Sequence, residues 1–457
     1  MPLRHVSGRD LTYHFIAFDE SGRERCENGA CYSEQVLATA MTAQPPVTDV
    51  FVISHGWMGD VPAAIRQYDR WLSAMYDQRQ DRAAAHLRRP DWQPLTIALH
   101  WPSLPWGDER LHRRPALLSA HDGGRADEFA AENAIEVDTL IDTYARRIAD
   151  TSRARAALRT ILETRPHQGR ILTQRVEDAY VALFTESALT CGGTSTAPGA
   201  DQEDFNPATI IAQAQQQAGG RSMPAVLGGN AADPGLDLVR MPLRQLSFWK
   251  MKDRARRFGE SGAHNLLRDL QHAAHGARFH LMGHSFGCIV TSGAVVGRPG
   301  TPERPQPVHT LFLAQGALSL WAFADERSNP HRRGTPGYYH RLLADRLVRG
   351  PVATTRSAFD TAVGRFYPLG ARLARQRHLG KDLPAYGGIG TFGIQGVPDT
   401  ADAVMVNNRQ RYDFRPGRVH NLEATNIIRH GSGPSGAHSD IAQPAVAHAF
   451  WQAAIAV

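Results

Sequence analysis

The chain has 457 residues, enough to bury a large core in about two or three domain-sized units, and its 42% hydrophobic and 21% charged content excludes a disordered or fibrous protein. A formal charge of +6 is thin for this length and is carried by scattered arginines, the lysines being only Lys250, Lys252 and Lys381. No run reaches the density of a nucleic-acid patch, and Arg332-Arg333 has no aromatic platform around it, so nucleic acid is excluded as a partner.

Residues 11–18 are rich in β-branched and aromatic side chains and end in the turn Asp19-Glu20-Ser21-Gly22, which predicts an opening strand of an edge hairpin. Cys26 and Cys31 follow, close enough to bridge across a hairpin, but a reduced pair is expected in a chain without an export signal. With Cys191 and Cys288 they make four cysteines, in no zinc-site spacing. The apolar run Asp49–Ser54 predicts a strand of a parallel sheet covered on both faces. It breaks at His55-Gly56-Trp57-Met58-Gly59-Asp60, and Ile65, Tyr68, Leu72 and Met75 then give helical spacing over 62–77. Leu95–Trp101 predicts another strand, stopped by Pro102-Ser103-Leu104-Pro105-Trp106. Alternation of strand, loop and helix points to the α/β class.

From 111 to 245 the character changes. Amphipathic helices are expected near 126–148, 152–165 and 170–188, followed by a Gly/Ala/Gln/Pro-rich tract from Cys191 to Pro234 with one short helix. We read 1–110 and 246–457 as two parts of an α/β core and 111–245 as an insertion. The core resumes with a helix over Phe248–Leu270 and strands at Ala277–Met282, Thr310–Ala314, Val352–Ser357 and Val419–Ile428. A closing helix is expected over Ala442–Ile455.

Gly283-His284-Ser285-Phe286-Gly287 lies between the apolar strand ending at Met282 and the small-residue helical run Cys288–Val296. Such a strand-to-helix turn holds a serine in strained backbone with Oγ projecting above the sheet, and a Cβ at either glycine would strike a neighbouring element. The helix that follows turns its free N–H groups and positive dipole end toward developing negative charge.

With that pentapeptide in its strand–turn–helix context, the chain resembles the α/β-hydrolase superfamily over about 1–110 and 246–457, and within it the serine esterases and lipases with an insertion over the site. The resemblance implies a mostly parallel central sheet flanked by helices, a largely helical cap, and Ser285 as nucleophile. It implies an oxyanion hole made by the N–H groups of Phe286 and of Trp57 in His55-Gly56-Trp57, with Met58 as the fallback donor; His55 itself reads as a structural hydrogen-bonder. The acid and base should follow in the order Ser, acid, His. Asp360, after the strand at 352–357, is the expected acid, with Asp325 the competitor; Asp345 reads as a surface ion pair. His438, in the glycine-rich loop before the last helix, is the expected base, with His430 the alternative, and His420 and His448 read as structural. Ser439 or Asp440 is expected to cap the last helix.

Trp57, Met58, Trp101, Trp106 and Phe286 suggest an apolar pocket, and His284 joins Met58, Trp101 and Trp106 among the substrate-binding candidates. The expected substrate is a small-molecule or lipid-like carboxylic ester, cleaved through an acyl-enzyme with no metal and no organic cofactor. Amides, thioesters and lactones on the same triad are the alternatives, as is a non-catalytic interaction module on the same scaffold. Gly388-Ile389-Gly390-Thr391-Phe392-Gly393 matches a dinucleotide fingerprint formally, but no strand precedes it and no helix follows, so a loop is expected there. The polar start of the chain and the lack of any run of about 20 apolar residues lead us to expect a cytoplasmic protein without a transmembrane segment, with non-classical secretion, as of a toxin-like lipase, left open.

Overall fold

A computed structural model describes residues 3–57, 60–103, 137–164, 172–189, 196–202, 205–218, 239–301, 305–360, 383–431 and 436–456. The predicted sites Met58 and Trp106 and the start of the helix expected at 126–148 lie outside these residues.

A nine-stranded sheet organises the structure, in the order β1-β2-β4-β3-β5-β6-β7-β9-β8. The strands are β1 (Leu3–His5), β2 (Thr12–Ala17), β3 (Asp49–Ser54), β4 (Pro94–His100), β5 (Arg278–His284), β6 (Thr310–Ala314), β7 (Val352–Arg356), β8 (Ala401–Val404) and β9 (Val419–Glu423). β1 pairs with β2 antiparallel, so residues 12–17 are the second strand of an edge hairpin rather than its opening strand, and only an isolated Phe18–Glu24 bridge follows the turn at 19–22. Every other strand pairing is parallel. The reason is legible in β3, where all six residues are buried: a strand covered on both faces has no polar side to show. Alternate side chains divide between the faces. Val50 and Val52 join one core cluster, while Phe51 and Ile53 join the cluster on the other face.

Helices close both faces. On the Phe51 side pack α2 (Val61–Tyr76), α3 (Arg79–Arg88) and the last helix, α13 (Pro444–Ile455). On the Val52 side lie α1 (Tyr32–Thr42), α8 (Met241–Phe258), α9 (His264–Ala273) and α10 (Gly287–Val296). The helix expected over Phe248–Leu270 thus starts earlier and is broken by a π turn at Gly259–Ala263. The break lets α8 press against α10, since a Cβ on Gly259 would sit 2.8 Å from the Val290 carbonyl oxygen.

The segment 111–245 contributes α4 (Val137–Arg147), α5 (Ser152–Glu163), α6 (Gln174–Glu186) and α7 (Pro207–Ala218). Ile141, Leu158, Ile161, Tyr180 and Leu183 share one core cluster with Leu246, Phe248 and Phe286, so α4, α5 and α6 have no separate core.

Several boundaries differ from the sequence reading. β9 stops at Glu423, and the chain then turns, Ile428 donating its N–H to the Ala424 carbonyl. Residues 389–392 form a short helix, α12 (Ile389–Phe392), where a loop was expected; α11 (His340–Ala344) precedes it. Strand β8, α1 and α3 were not anticipated. Cys26 and Cys31 are joined by a disulfide, which corrects the expected reduced pair; that expectation rested on compartment, whereas the tight turn at Glu27–Ala30 brings the two Cα atoms within 4.3 Å. No helix among the described residues is long and apolar enough to cross a membrane.

Candidate active site

In chain order the sheet grows from β3 outward to β4, then resumes on the other side of β3 with β5 and β6. The loops leaving β3 and β5 therefore diverge, and the crevice between their carboxyl ends is the place where α/β sheets bind ligands. Ser285 stands there. It occupies the left-handed region, φ 58°, between β5 and α10, a conformation a non-glycine residue holds only when its surroundings enforce it. Its N–H donates to the Ala314 carbonyl (3.1 Å), and its own carbonyl accepts from Cys288 and Ala317, both at 3.2 Å. The flanking glycines are sterically required: a Cβ on Gly283 would lie 2.3 Å from the Gly287 oxygen, and one on Gly287 would lie 2.1 Å from the Ser54 oxygen. Gly56 brings the β3 loop against the serine, since its Cβ would fall 2.6 Å from that of Ser285.

Trp57 and Phe286 meet at this point. Their rings stack with centroids 5.8 Å apart, and Phe248 from α8 touches both. Phe286 is the N-cap residue of α10, so its N–H lies outside the helical hydrogen-bond ladder. His55 is wholly buried. Its Nδ1 bonds the Gly56 carbonyl (2.8 Å), its Nε2 meets His100 Nδ1 (2.9 Å), and burial holds it well below the usual histidine range. That is a structural neutral imidazole, and it braces the loop carrying Trp57. Trp101, expected to line a pocket, is instead fully buried; its indole stacks on His55 and donates to the His55 carbonyl (3.3 Å).

Asp360 and His438 come together from distant parts of the chain. His438 Nδ1 donates to Asp360 Oδ2 at 2.8 Å, and the carboxylate is fully buried. Their loops are zipped by a bridge between Asp360 and Gly436 and by the Ala437 N–H donating to the Phe359 carbonyl (2.9 Å). Ser357, at the end of β7, anchors the bend by donating through Oγ to the Ile428 carbonyl (2.7 Å).

His284 ties this pair to the elbow. Gln67 Nε2 donates to its Nδ1 (2.7 Å), and its Nε2 donates to the His438 carbonyl (2.9 Å). Burial first, and the nearby His438 second, push His284 down to about 3, so it stays neutral and both ring nitrogens are used. His284 was a substrate-binding candidate; its bonds make it a positioning residue for the His438 backbone.

One functional neighbour escaped the sequence reading. Gln315, directly after β6 and also left-handed (φ 47°), donates through Nε2 to the Asp360 oxygen that accepts from His438 (3.0 Å). Its amide oxygen accepts from Thr355 Oγ1 (2.9 Å), which fixes the orientation of the donor. A cue was available, because Gln315 is a polar residue at the carboxyl end of the strand beside that of Ser285. Gly390 of α12 closes the same space: a Cβ there would lie 2.9 Å from Asp360 Oδ2.

The competitors sit elsewhere. Asp325 caps its own turn, accepting from the Arg327 and Ser328 N–H groups (both 2.8 Å), and His430 is solvent-exposed and faces Asp440 (3.3 Å). Asp440 accepts from the Arg429 and His430 N–H groups rather than capping α13, whose N-cap residue is Gln443. His448 pairs with Asp81 (2.6 Å) and His420 accepts from the Arg415 N–H (3.1 Å), both away from the serine as structural groups. Among the described residues no group of three or more metal-ligating side chains is assembled. Neither the protein-family models, nor the curated proteins, nor the solved structures include a match to this chain.

Proposed function

We propose that the protein is a serine hydrolase of the α/β-hydrolase type that cleaves carboxylic esters through an acyl-enzyme. The observation that carries this reading is the buried Asp360–His438 hydrogen bond of 2.8 Å, tied through His284 to the left-handed Ser285. An aspartate on Nδ1 fixes the tautomer that leaves Nε2 free as a base, and it stabilises the imidazolium formed on attack. His438 takes the Ser285 proton, Oγ adds to the ester carbonyl, and the resulting oxyanion is held by the N–H groups of Phe286 and Trp57. His438 then protonates the leaving alcohol, and the same base activates the water that releases the acid.

Trp57, Phe286 and Phe248 make the immediate surroundings of the serine apolar, which suits the uncharged ester group that Ser285 attacks. Steady-state hydrolysis of a p-nitrophenyl ester series tests this. The expected result is turnover of at least one chain length, abolished in both Ser285→Ala and His438→Ala. No turnover of any member by the folded protein would overturn the ester assignment and turn attention to amides, thioesters or lactones.

A further inference from the structure

Arginine is almost never buried without a partner, because taking a guanidinium out of water is costly unless a carboxylate or hydrogen-bond acceptor compensates. Arg147, the last residue of α4, breaks that rule. It is 7% exposed, and neither its Nε nor its Nη2 has a hydrogen-bond partner. It enters no ion pair among the described residues, and it does not cap the carbonyls at the end of its own helix. Among the described residues, the charged or titratable neighbours that bear on it are Tyr144 and Arg254, the second of which repels it. Burial pushes it down to about 10, so it remains a cation at neutral pH.

Its position is as telling as its burial. The guanidinium carbon lies 5.2 Å from the centroid of the Trp57 ring, and Trp57 is the residue after Gly56, which abuts Ser285. A cation over an indole face is partly stabilised, but the face supplies no acceptor for the guanidinium N–H groups. The planar fork is shaped for an oxyanion held in two-point contact. We propose that Arg147 is the anion-recognition residue of this site, taking a carboxylate or phosphate group carried by the substrate above the Trp57 indole. The anion site stands on its own geometry; its role in ester cleavage rests on the serine hydrolase reading. The substrate class is then an ester bearing a negative charge on its acyl or alcohol part.

Three p-nitrophenyl esters of matched length test this: a neutral pentanoate, a hemiglutarate and a 4-phosphonobutyrate. The wild type is expected to favour one anionic ester over the neutral one by about tenfold or more in kcat/KM, the favoured member distinguishing carboxylate from phosphate-like groups. In Arg147→Gln that ratio should collapse toward one, while the melting temperature holds or rises because an uncompensated buried charge is gone. A ratio unchanged by the substitution, or a wild type that prefers the neutral ester, would overturn the proposal. Should Arg147→Gln fail to fold, Arg147→Lys keeps the charge but loses the fork, and the ratio must still fall. Calorimetric titration with glutarate and with inorganic phosphate separates the two claims. Binding lost in Arg147→Gln alongside an unreactive Ser285 would keep the anion site and sink the hydrolase reading; a reactive Ser285 with no anion bound by the wild type would do the reverse.

Discussion

Asp360 accepts two hydrogen bonds on one oxygen, from His438 and from Gln315, and this doubling decides what each substitution should do. Asp360→Asn keeps the shape but offers a donor where an acceptor is needed, favouring the wrong imidazole tautomer. The expected outcome is a kcat lower by roughly 10³- to 10⁴-fold with little change in KM, read by steady-state kinetics. Gln315→Ala removes one bond to a charged group, of about 1.5–3 kcal/mol, so kcat should fall by about 10- to 100-fold while Asp360 remains in place. An equal loss in both variants would mean that Gln315 does more than orient the carboxylate. Ser285, Phe286 and Trp57 were legible as residues because backbone geometry itself demands the glycines around them. Gln315 was not, because its contribution is a contact between two strand ends that only the sheet order brings together.

Among the elements, α12 shows how a formal motif can mislead and still matter. The Gly388–Gly393 run fails as a dinucleotide fingerprint, yet Gly390 is where α12 touches Asp360 and the Gln315 backbone. Gly390→Ala would push a methyl group into the carboxylate. We expect kcat to drop by about 10²-fold, as for a misplacement near 1 Å, with a stability loss of about 1–3 kcal/mol by denaturant titration. Wild-type kcat in a folded Gly390→Ala protein would contradict that contact. Strands β3 and β6 were readable from their apolar runs, since burial on both faces leaves an unambiguous pattern. β8 was not, because its four residues are mostly exposed at the sheet edge and carry no such pattern. The break in the α8–α9 helix was equally hidden, being set by the approach of α10 rather than by local propensity.

Over the whole molecule the buried histidines govern the response to acid. Burial holds His280 and His284 down to about 3 and His309 down to about 4, with His55 also well below the usual range. All are neutral when folded, and each takes up a proton more readily once unfolded. The unfolded chain therefore binds more protons as pH falls below about 6.5, and stability should drop progressively from there toward pH 4. His448, raised by its bond to Asp81 despite the opposing effect of burial, works the other way: its contribution is complete below the unfolded value and fades as pH rises through the folded one. Thermal melts from pH 8 to pH 4 should show a falling midpoint on the acid side, and a flat profile would contradict the assignment of these imidazoles as neutral. The central claim, that Ser285 is an activated nucleophile, has a more direct test. A fluorophosphonate should label the folded wild type at Ser285 with one-to-one stoichiometry, and Ser285→Ala should take up none. A folded wild-type protein that stays unlabelled would contradict it.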